Sequence, residues 1–387
     1  MKTVCDLNMC TGCMACVEKC PNTAIKIVDH LDSFNACIDE NKCVNCGACF
    51  RVCQRNDIPE SIHPMVWYQG WAADEAIRLR AASGGIATAL MKAFADKMGY
   101  VCSCVFRQGN FVFEITDNSQ QVDIFSGSKY IKSNPYGIYE KIKGLLNGGK
   151  KVLFVGLPCQ VAALKKYIRA NGPDNLYTVD LICHGTPSPK LLQLFLKEHG
   201  YEIDGIENMV FREKTACNLY KNYTSLTKQD MPNRYLFSFL KALNYTENCY
   251  SCPYARLERV SDITLGDSWG SKLPKEEHAK GISLILCQSE KGKELLESAD
   301  LHLEKVDIEN AVKCNQQLNA PAKLPPDRKK FFEDIRAGKK YDHVIFKLFP
   351  SIFIRQYGKR TLKKIGVMKE TANQSIVYKL LINKMQK

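Results

Sequence analysis

Nineteen cysteines stand in this chain of 387 residues, and eight of them fall into two runs of identical spacing. Cys10, Cys13, Cys16 and Cys20 follow C-x2-C-x2-C-x3-C, and Cys43, Cys46, Cys49 and Cys53 repeat the pattern 33 positions later. A [4Fe-4S] cubane needs four converging thiolates. In this spacing three cysteines wrap one cluster and the fourth reaches the neighbouring one. The spacing therefore predicts one cluster on Cys10, Cys13, Cys16 and Cys53, and a second on Cys43, Cys46, Cys49 and Cys20. Gly12 and Gly47 allow such tight loops their unusual backbone angles. Pro21 follows Cys20, whereas Gln54 stands where a second proline would follow Cys53. Zinc is the alternative, but its sites usually present two ligands, a long gap and two more. Cys5 and Cys37 lie outside the pattern and read as free buried thiols.

Four more cysteines share a predicted locus. Residues 151–155 and 177–182 are compact apolar strands, each followed by a helical stretch (161–167 and 191–199), and residues 75–98 and 139–146 have helical spacing. Further strands are expected at 100–106, 111–116, 208–211, 223–227, 262–265 and 283–287. The alternation predicts a parallel sheet with crossover helices, whose ligand site lies beyond the carboxyl ends of the strands. Cys159 and Cys183 follow two such strands, and Cys249 and Cys252 supply a C-x2-C pair. Together they suit a third [4Fe-4S] cluster, with structural zinc or separate buried cysteines as alternatives. Cys102, Cys104, Cys217, Cys287 and Cys314 read as core or incidental residues.

Three glycine-rich turns accompany these cysteines, at residues 82–85, 126–130 and 266–270. A Ser-Gly-Gly turn opening a helix can bind phosphate through free backbone N–H groups. No complete G-x-G-x-x-G is present, so a Rossmann nucleotide site is not supported.

Composition bounds the rest. A hydrophobic share of 45% and a charged share of 25% exclude a disordered or collagen-like chain. No leader pattern and no 18-residue apolar run is read, which predicts a cytoplasmic setting where cysteines bind metal rather than pair. The net charge of +13 divides into −2 over residues 1–60, +7 over 61–340 and +8 over 341–387. Nucleic-acid binding is not expected, since no motif accompanies the charge. Residues 63–68 read as a linker, so the first module is expected to be set apart. The tail interleaves Phe346, Leu348, Phe349, Ile352, Phe353 and Ile354 with Lys347 and Arg355. It is expected to dock on an acidic or membrane surface, or else to pack as a helix with a solvated basic face.

Six segments carry a resemblance: RAASGGIATAL (80–90), GSKYIKSNP (127–135), VGLPCQVAAL (155–164), DLICHGTPSP (180–189), the pair Cys249 and Cys252, and SDITLGDSWG (261–270). Over residues 65–320 the chain resembles the coenzyme F420 hydrogenase/dehydrogenase beta-subunit family, here behind a bacterial-type ferredoxin module. The expected organisation is an α+β ferredoxin-like domain (1–62), an α/β flavin-binding domain (63–340) and a helical basic tail (341–387). The resemblance implies an FAD-dependent, ferredoxin-linked oxidoreductase. Electrons would pass from ferredoxin, or another low-potential donor, through the clusters and FAD to a small-molecule substrate such as coenzyme F420 or another hydride acceptor. An electron-input subunit without its own substrate site is the alternative. The resemblance matches Cys159, Cys183, Cys249 and Cys252 to the family's cluster cysteines. It also puts Ser83, Gly84, Gly85, Gly127, Ser128, Lys129, Asp267, Trp269 and Gly270 near the flavin. No catalytic side chain is identified; His184 is a candidate proton donor.

Overall fold

The protein is described here from a computed structural model covering residues 2–168, 174–212, 220, 221, 224, 225 and 233–364. The first module holds α1 (Ala15–Lys19), a hairpin of β1 (Ile25–Asp29) and β2 (Phe34–Ile38), and α2 (Ala48–Val52). Each short helix begins just after a left-handed residue, Met14 before α1 and Gly47 before α2.

An eight-stranded sheet follows. Its strands are β3 (Val66–Ala72), β4 (Gly99–Arg107), β5 (Asn110–Thr116), β6 (Lys151–Gly156), β7 (Leu176–Leu181), β11 (Ile263–Asp267), β12 (Ser283–Cys287) and β13 (Leu301–Lys305). The small strands β8 (Met209–Val210), β9 (Tyr220–Lys221) and β10 (Thr224–Ser225) form a separate antiparallel sheet. In space the large sheet runs β13-β3-β12-β11-β7-β6-β4-β5. Only β4, β6, β7 and β11 are mutually parallel; the neighbours on both flanks pair antiparallel. The sheet is thus mixed where the alternation predicts a parallel one. The difference lies in the flanks: β5 and β12, expected as strands, run antiparallel to their neighbours, and β3 and β13, which the pattern does not mark as strands, extend the sheet beyond β12.

Alternating residues along each strand face opposite layers. Leu153 and Val155 pack with α4 (Ile86–Lys97) and α10 (Glu290–Ser298), whereas Val152 and Phe154 pack with α5 (Ile138–Asn147) and α6 (Pro158–Ile168). The helix expected over 75–98 is broken into α3 (Glu75–Arg80) and α4 by the turn at 82–85. A second helical layer joins α7 (Pro189–Glu198), α8 (Arg234–Leu240), α12 (Arg328–Arg336), α13 (Tyr341–Leu348) and α14 (Pro350–Lys364) in one apolar cluster. The remaining helices are α9 (Lys275–Lys280) and α11 (Ile308–Cys314).

Two expectations change here. Residues 66–68 are not linker but the start of β3, between β12 and β13. Their aromatic, β-favouring residues are the signal that was available. Nor is the first module loosely attached. Ala15 and Val52 lie in one buried cluster with Tyr139, Val161 and Ala162 of the α5/α6 layer. The Glu18 carboxylate accepts from the N–H groups of Gly137 at 3.1 Å and Glu140 at 2.6 Å, capping α5 from the other module.

The start of the tail packs on the protein. Phe353 is fully buried, and Phe346, Leu348, Phe349 and Ile352 pack against the second helical layer, while Ile354 remains 60% exposed. From Tyr341 to Phe353 these apolar residues are used internally, as in the packed-helix alternative. Among the described residues no helix is long and apolar enough to cross a membrane. Residues 365–387, Cys217 and most of the strand expected at 223–227 lie outside the described residues.

Candidate electron-transfer site

The repeat is visible in the backbone. Gly12 and Met14 have φ of 70° and 61°, and Asn45 and Gly47, each 33 positions on, have 53° and 69°. The left-handed turns that let each loop curl recur at the same places, with glycine supplied at a different one in each run. The first loop and Cys53 line a small cavity with Cys10, Cys13, Cys16 and Cys5. The second lines another with Cys20, Cys43, Cys46 and Cys49. Backbone N–H groups point at both sets of sulfurs: Gly12 donates to Cys10 Sγ at 3.4 Å and Ala24 to Cys20 Sγ at 3.3 Å.

The surroundings of the two cavities differ. Cys10, Cys13, Cys16 and Cys53 are buried, whereas Cys46 is exposed and flanked by Val44 (62% exposed) and Phe50 (61%). Cys5 is buried, as expected, but it is also a neighbour of the inner quartet. Hydrogen bonding from Cys5 holds the Cys53 thiol down at about 6 and lowers Cys10, while Cys5 itself is pushed up.

Cys159 lies in the first turn of α6, directly after β6, and Cys183 lies just beyond β7. Burial raises Cys159, Cys252 and Cys183, the last to about 12; repulsion from Cys249 and Cys252 adds to the rise at Cys183, and from Cys252 and Cys183 to that at Cys159. The four cysteines expected at one locus are thus brought together. Asn248 Nδ2, Thr246 Oγ1 and Thr186 Oγ1 lie 3.7, 3.6 and 3.8 Å from Cys249 Sγ. Arg259 ties the two halves together. It bonds Asp180 Oδ1 and the Leu181 carbonyl at the end of β7, and also the Tyr254 carbonyl beside Cys252. Its pair with Asp180 is buried, with side chains 1% and 0% exposed.

The inner quartet abuts this locus. Besides burial, Cys159, Cys252 and Cys13 all push up the Tyr254 hydroxyl. That hydroxyl donates to Gln54 Oε1, and Gln54 Nε2 donates to Thr11 Oγ1 at 3.0 Å. Gln54, in the place of the usual proline, is fully buried and joins the first cysteine loop to the loop of Cys252.

The glycine-rich turns divide into two groups. Gly84 N–H donates to Ser283 Oγ at 3.0 Å, Ser83 Oγ to the Ile282 carbonyl at 3.0 Å, and Ser268 N–H to that same carbonyl at 3.0 Å. Ser83, Gly84 and Gly85 therefore meet the loop of Asp267, Trp269 and Gly270 at the carboxyl edge of β11. Asp267 holds Arg212 through two bonds of 2.6 and 2.9 Å, and His184 lies close enough to feel both charges. Lost hydration holds the His184 imidazole below its ordinary range. Gly127, Ser128 and Lys129 stand apart from this group, towards the β4 side; Lys129 Nζ donates to the carbonyls of Phe125 and Ser126 at 2.7 and 3.0 Å. Cys314 Sγ would sit 2.6 Å from a Cβ at Gly270, so it packs directly against that loop, and Cys102 and Cys287 are buried core residues.

Sequence reasoning missed Arg259, Tyr254, Thr246, Arg212 and Lys132. Gln54 carried a signal, as a departure at a position where proline is usual.

Residues 9–56 match the family described as the 4Fe-4S dicluster domain. Residues 149–311 match the family described as the C terminus of the coenzyme F420 hydrogenase/dehydrogenase beta subunit. A chain of the F420-reducing NiFe hydrogenase complex from Methanosarcina barkeri is similar at 19% identity, covering 73% of this chain and 97% of that one, with a TM-score of 0.48. No curated protein matches. The two matches support a chain in which a 4Fe-4S dicluster module is fused ahead of a domain similar to the C terminus of the coenzyme F420 hydrogenase/dehydrogenase beta subunit.

Proposed function

We propose that the protein is an iron–sulfur flavoprotein oxidoreductase that relays electrons inward through three clusters. The observation that carries this reading is the succession of cysteine quartets: one partly exposed, one buried, one beyond it at the carboxyl edge of the sheet. The outer cluster is held by Cys20, Cys43, Cys46 and Cys49, and the inner by Cys10, Cys13, Cys16 and Cys53. Cys159, Cys183, Cys249 and Cys252 hold the core cluster. Among the described residues no three Cys, His, Asp or Glu side chains close on a point where one metal ion would sit. Sulfurs ringing a cavity suit a cubane better than zinc, which draws its ligands to about 2.3 Å. The domain boundaries at residues 62 and 340 belong to this proposal too.

FAD fits the neighbouring edge in part. Helix α4 opens without a side-chain cap, which leaves first-turn N–H groups for a phosphate. Ser83, Gly84, Gly85, Asp267, Trp269 and Gly270 stand together beside it, and Gly127, Ser128 and Lys129 would close the site from the β4 side. Bound FAD supplies the exchange between one- and two-electron chemistry. His184, whose imidazole lost hydration holds below its ordinary range, would hold or pass a proton beside Asp267 and Arg212. A small-molecule hydride acceptor of the coenzyme F420 type is the proposed substrate and ferredoxin the donor, in a cytoplasmic setting.

Anaerobic reconstitution with iron and flavin counted, followed by a screen of donors and acceptors through flavin absorbance, tests the reading. Twelve irons and one FAD per chain, with a turnover substrate found, are expected. Protein that takes up three clusters but no flavin would instead be an electron-input subunit.

A further inference from the structure

Lys132 is 6% exposed and its ammonium points into the seam between the two modules. Its Nζ donates to the Thr11 carbonyl at 3.0 Å, beside Cys10, and lies 5.1 Å from the centre of the Phe34 ring. A Cβ at Gly12 would come within 2.9 Å of Lys132 Cδ, so this glycine is also the gap through which the lysine reaches the loop. On its other side, Ser133 accepts from Gln160 Nε2 at 2.9 Å, next to Cys159. Lys132 therefore sits between the loop of Cys10 and the helix start that carries Cys159, one cysteine from each quartet.

A buried ammonium needs a counter-charge. Among the described residues no carboxylate lies within ion-pairing distance of Lys132, although twenty-one such pairs occur elsewhere. The segments on either side of it carry Cys10, next to Thr11, and Cys159, next to Gln160.

We propose that Lys132 is the shared counter-ion of the inner and core clusters, a single buried charge that raises both reduction potentials together. The inference rests on the three-cluster reading above. Each cluster gains one electron, and so one negative charge, on reduction. A fixed cation between them stabilises both reduced forms, and low local dielectric strengthens the effect. Thr11, Gly12 and Phe34, which Lys132 meets, do not line the outer cavity, so the outer cluster is expected outside this influence. Matched potentials on either side of the seam would keep inward transfer close to level.

The test is a dithionite titration of the reconstituted holoprotein followed by electron paramagnetic resonance, with Lys132→Gln and Lys132→Arg. Glutamine keeps a donor for the Thr11 carbonyl and removes only the charge. In Lys132→Gln the reduction equilibria of the inner and core clusters should both fall at least tenfold, about 59 mV for one electron. The outer cluster should keep its wild-type value, and Lys132→Arg should restore both others. Unmoved inner and core potentials, or an equal shift in all three clusters, would overturn the proposal. If Lys132→Gln does not hold its clusters, wild-type protein carrying 15N-lysine decides the matter. A nitrogen coupling in both reduced inner and core signals supports the proposal, and its absence from either overturns it. Iron counted first on wild-type protein keeps the two readings apart. Eight irons per chain would remove the core cluster itself, whereas twelve irons with unmoved potentials would remove only the role of Lys132.

Discussion

The two cysteine runs match in spacing and in backbone, yet their surroundings have little in common. The outer loop presents Val44, Cys46 and Phe50 to solvent. The inner loop is enclosed by Cys5, Lys132, Gln54 and the α5/α6 layer. A tandem repeat thus repeats the cysteine spacing, while the fold gives each copy different surroundings. Exposure suits an entry point, because a protein donor must approach closely. Burial against the core suits onward transfer, because potentials there are tuned by fixed charges and hydrogen bonds.

The sharpest way to break this comparison is to remove one ligand from each loop. Cys46→Ser should cost the outer cluster alone, with inner and core signals retained. Cys16→Ser should cost the inner cluster, stop electrons from the outer cluster reaching the core, and lower stability, since Cys16 lies in the core that joins the modules. Iron counts, spectra of the reduced protein and thermal melts read all three effects. Equal outcomes for the two variants would erase the distinction.

Next in size is Arg259→Leu. It leaves Asp180 buried without its partner, a change that typically costs about 3–5 kcal/mol. It also frees the Cys252 loop from the end of β7. Denaturant midpoints should fall, and the core cluster should be lost before the outer one.

Tyr254→Phe is milder. It strips the donor from buried Gln54 Oε1 at the seam, for about 1–3 kcal/mol. The outer loop has no counterpart to this contact among the described residues, so outer-cluster spectra should be unchanged. A variant as stable as wild type by denaturant titration would argue that the bridge contributes little.

The smallest effect is kinetic. Ligation needs the thiolate, and burial keeps Cys159, Cys183 and Cys252 protonated further up the pH scale. Below the raised pKa, about 12 for Cys183, each pH unit upward increases the thiolate fraction about tenfold. Core-cluster assembly, followed by iron uptake after chelator quench, should therefore quicken from pH 7 to pH 9.

The candidate ligands were legible because their chemistry is local: eight cysteines announce themselves by spacing within the dicluster match, and Cys159 and Cys183 stand out by their place after apolar strands. The parallel centre of the sheet was legible for the same reason. Strand β13 was not, because it is a short edge strand with no buried residue, whose alternation of Leu301 and Leu303 with polar residues spans too few positions, and β3 was obscured by the turn residues before Val66. Lys132, Arg259 and Tyr254 were illegible in principle. Each matters through a partner 79 to 200 positions away, such as Asp180 for Arg259 or Gln54 for Tyr254. Gln54 was the exception, since a residue that breaks a local rule invites a tertiary reason.

The central claim is a line of three clusters with the buried one in the middle. Spin integration of the fully reduced, reconstituted wild-type protein tests it most directly. The account expects three spins per chain, broadened by mutual coupling. Two spins per chain, with the spectrum of an isolated pair of clusters, would contradict it.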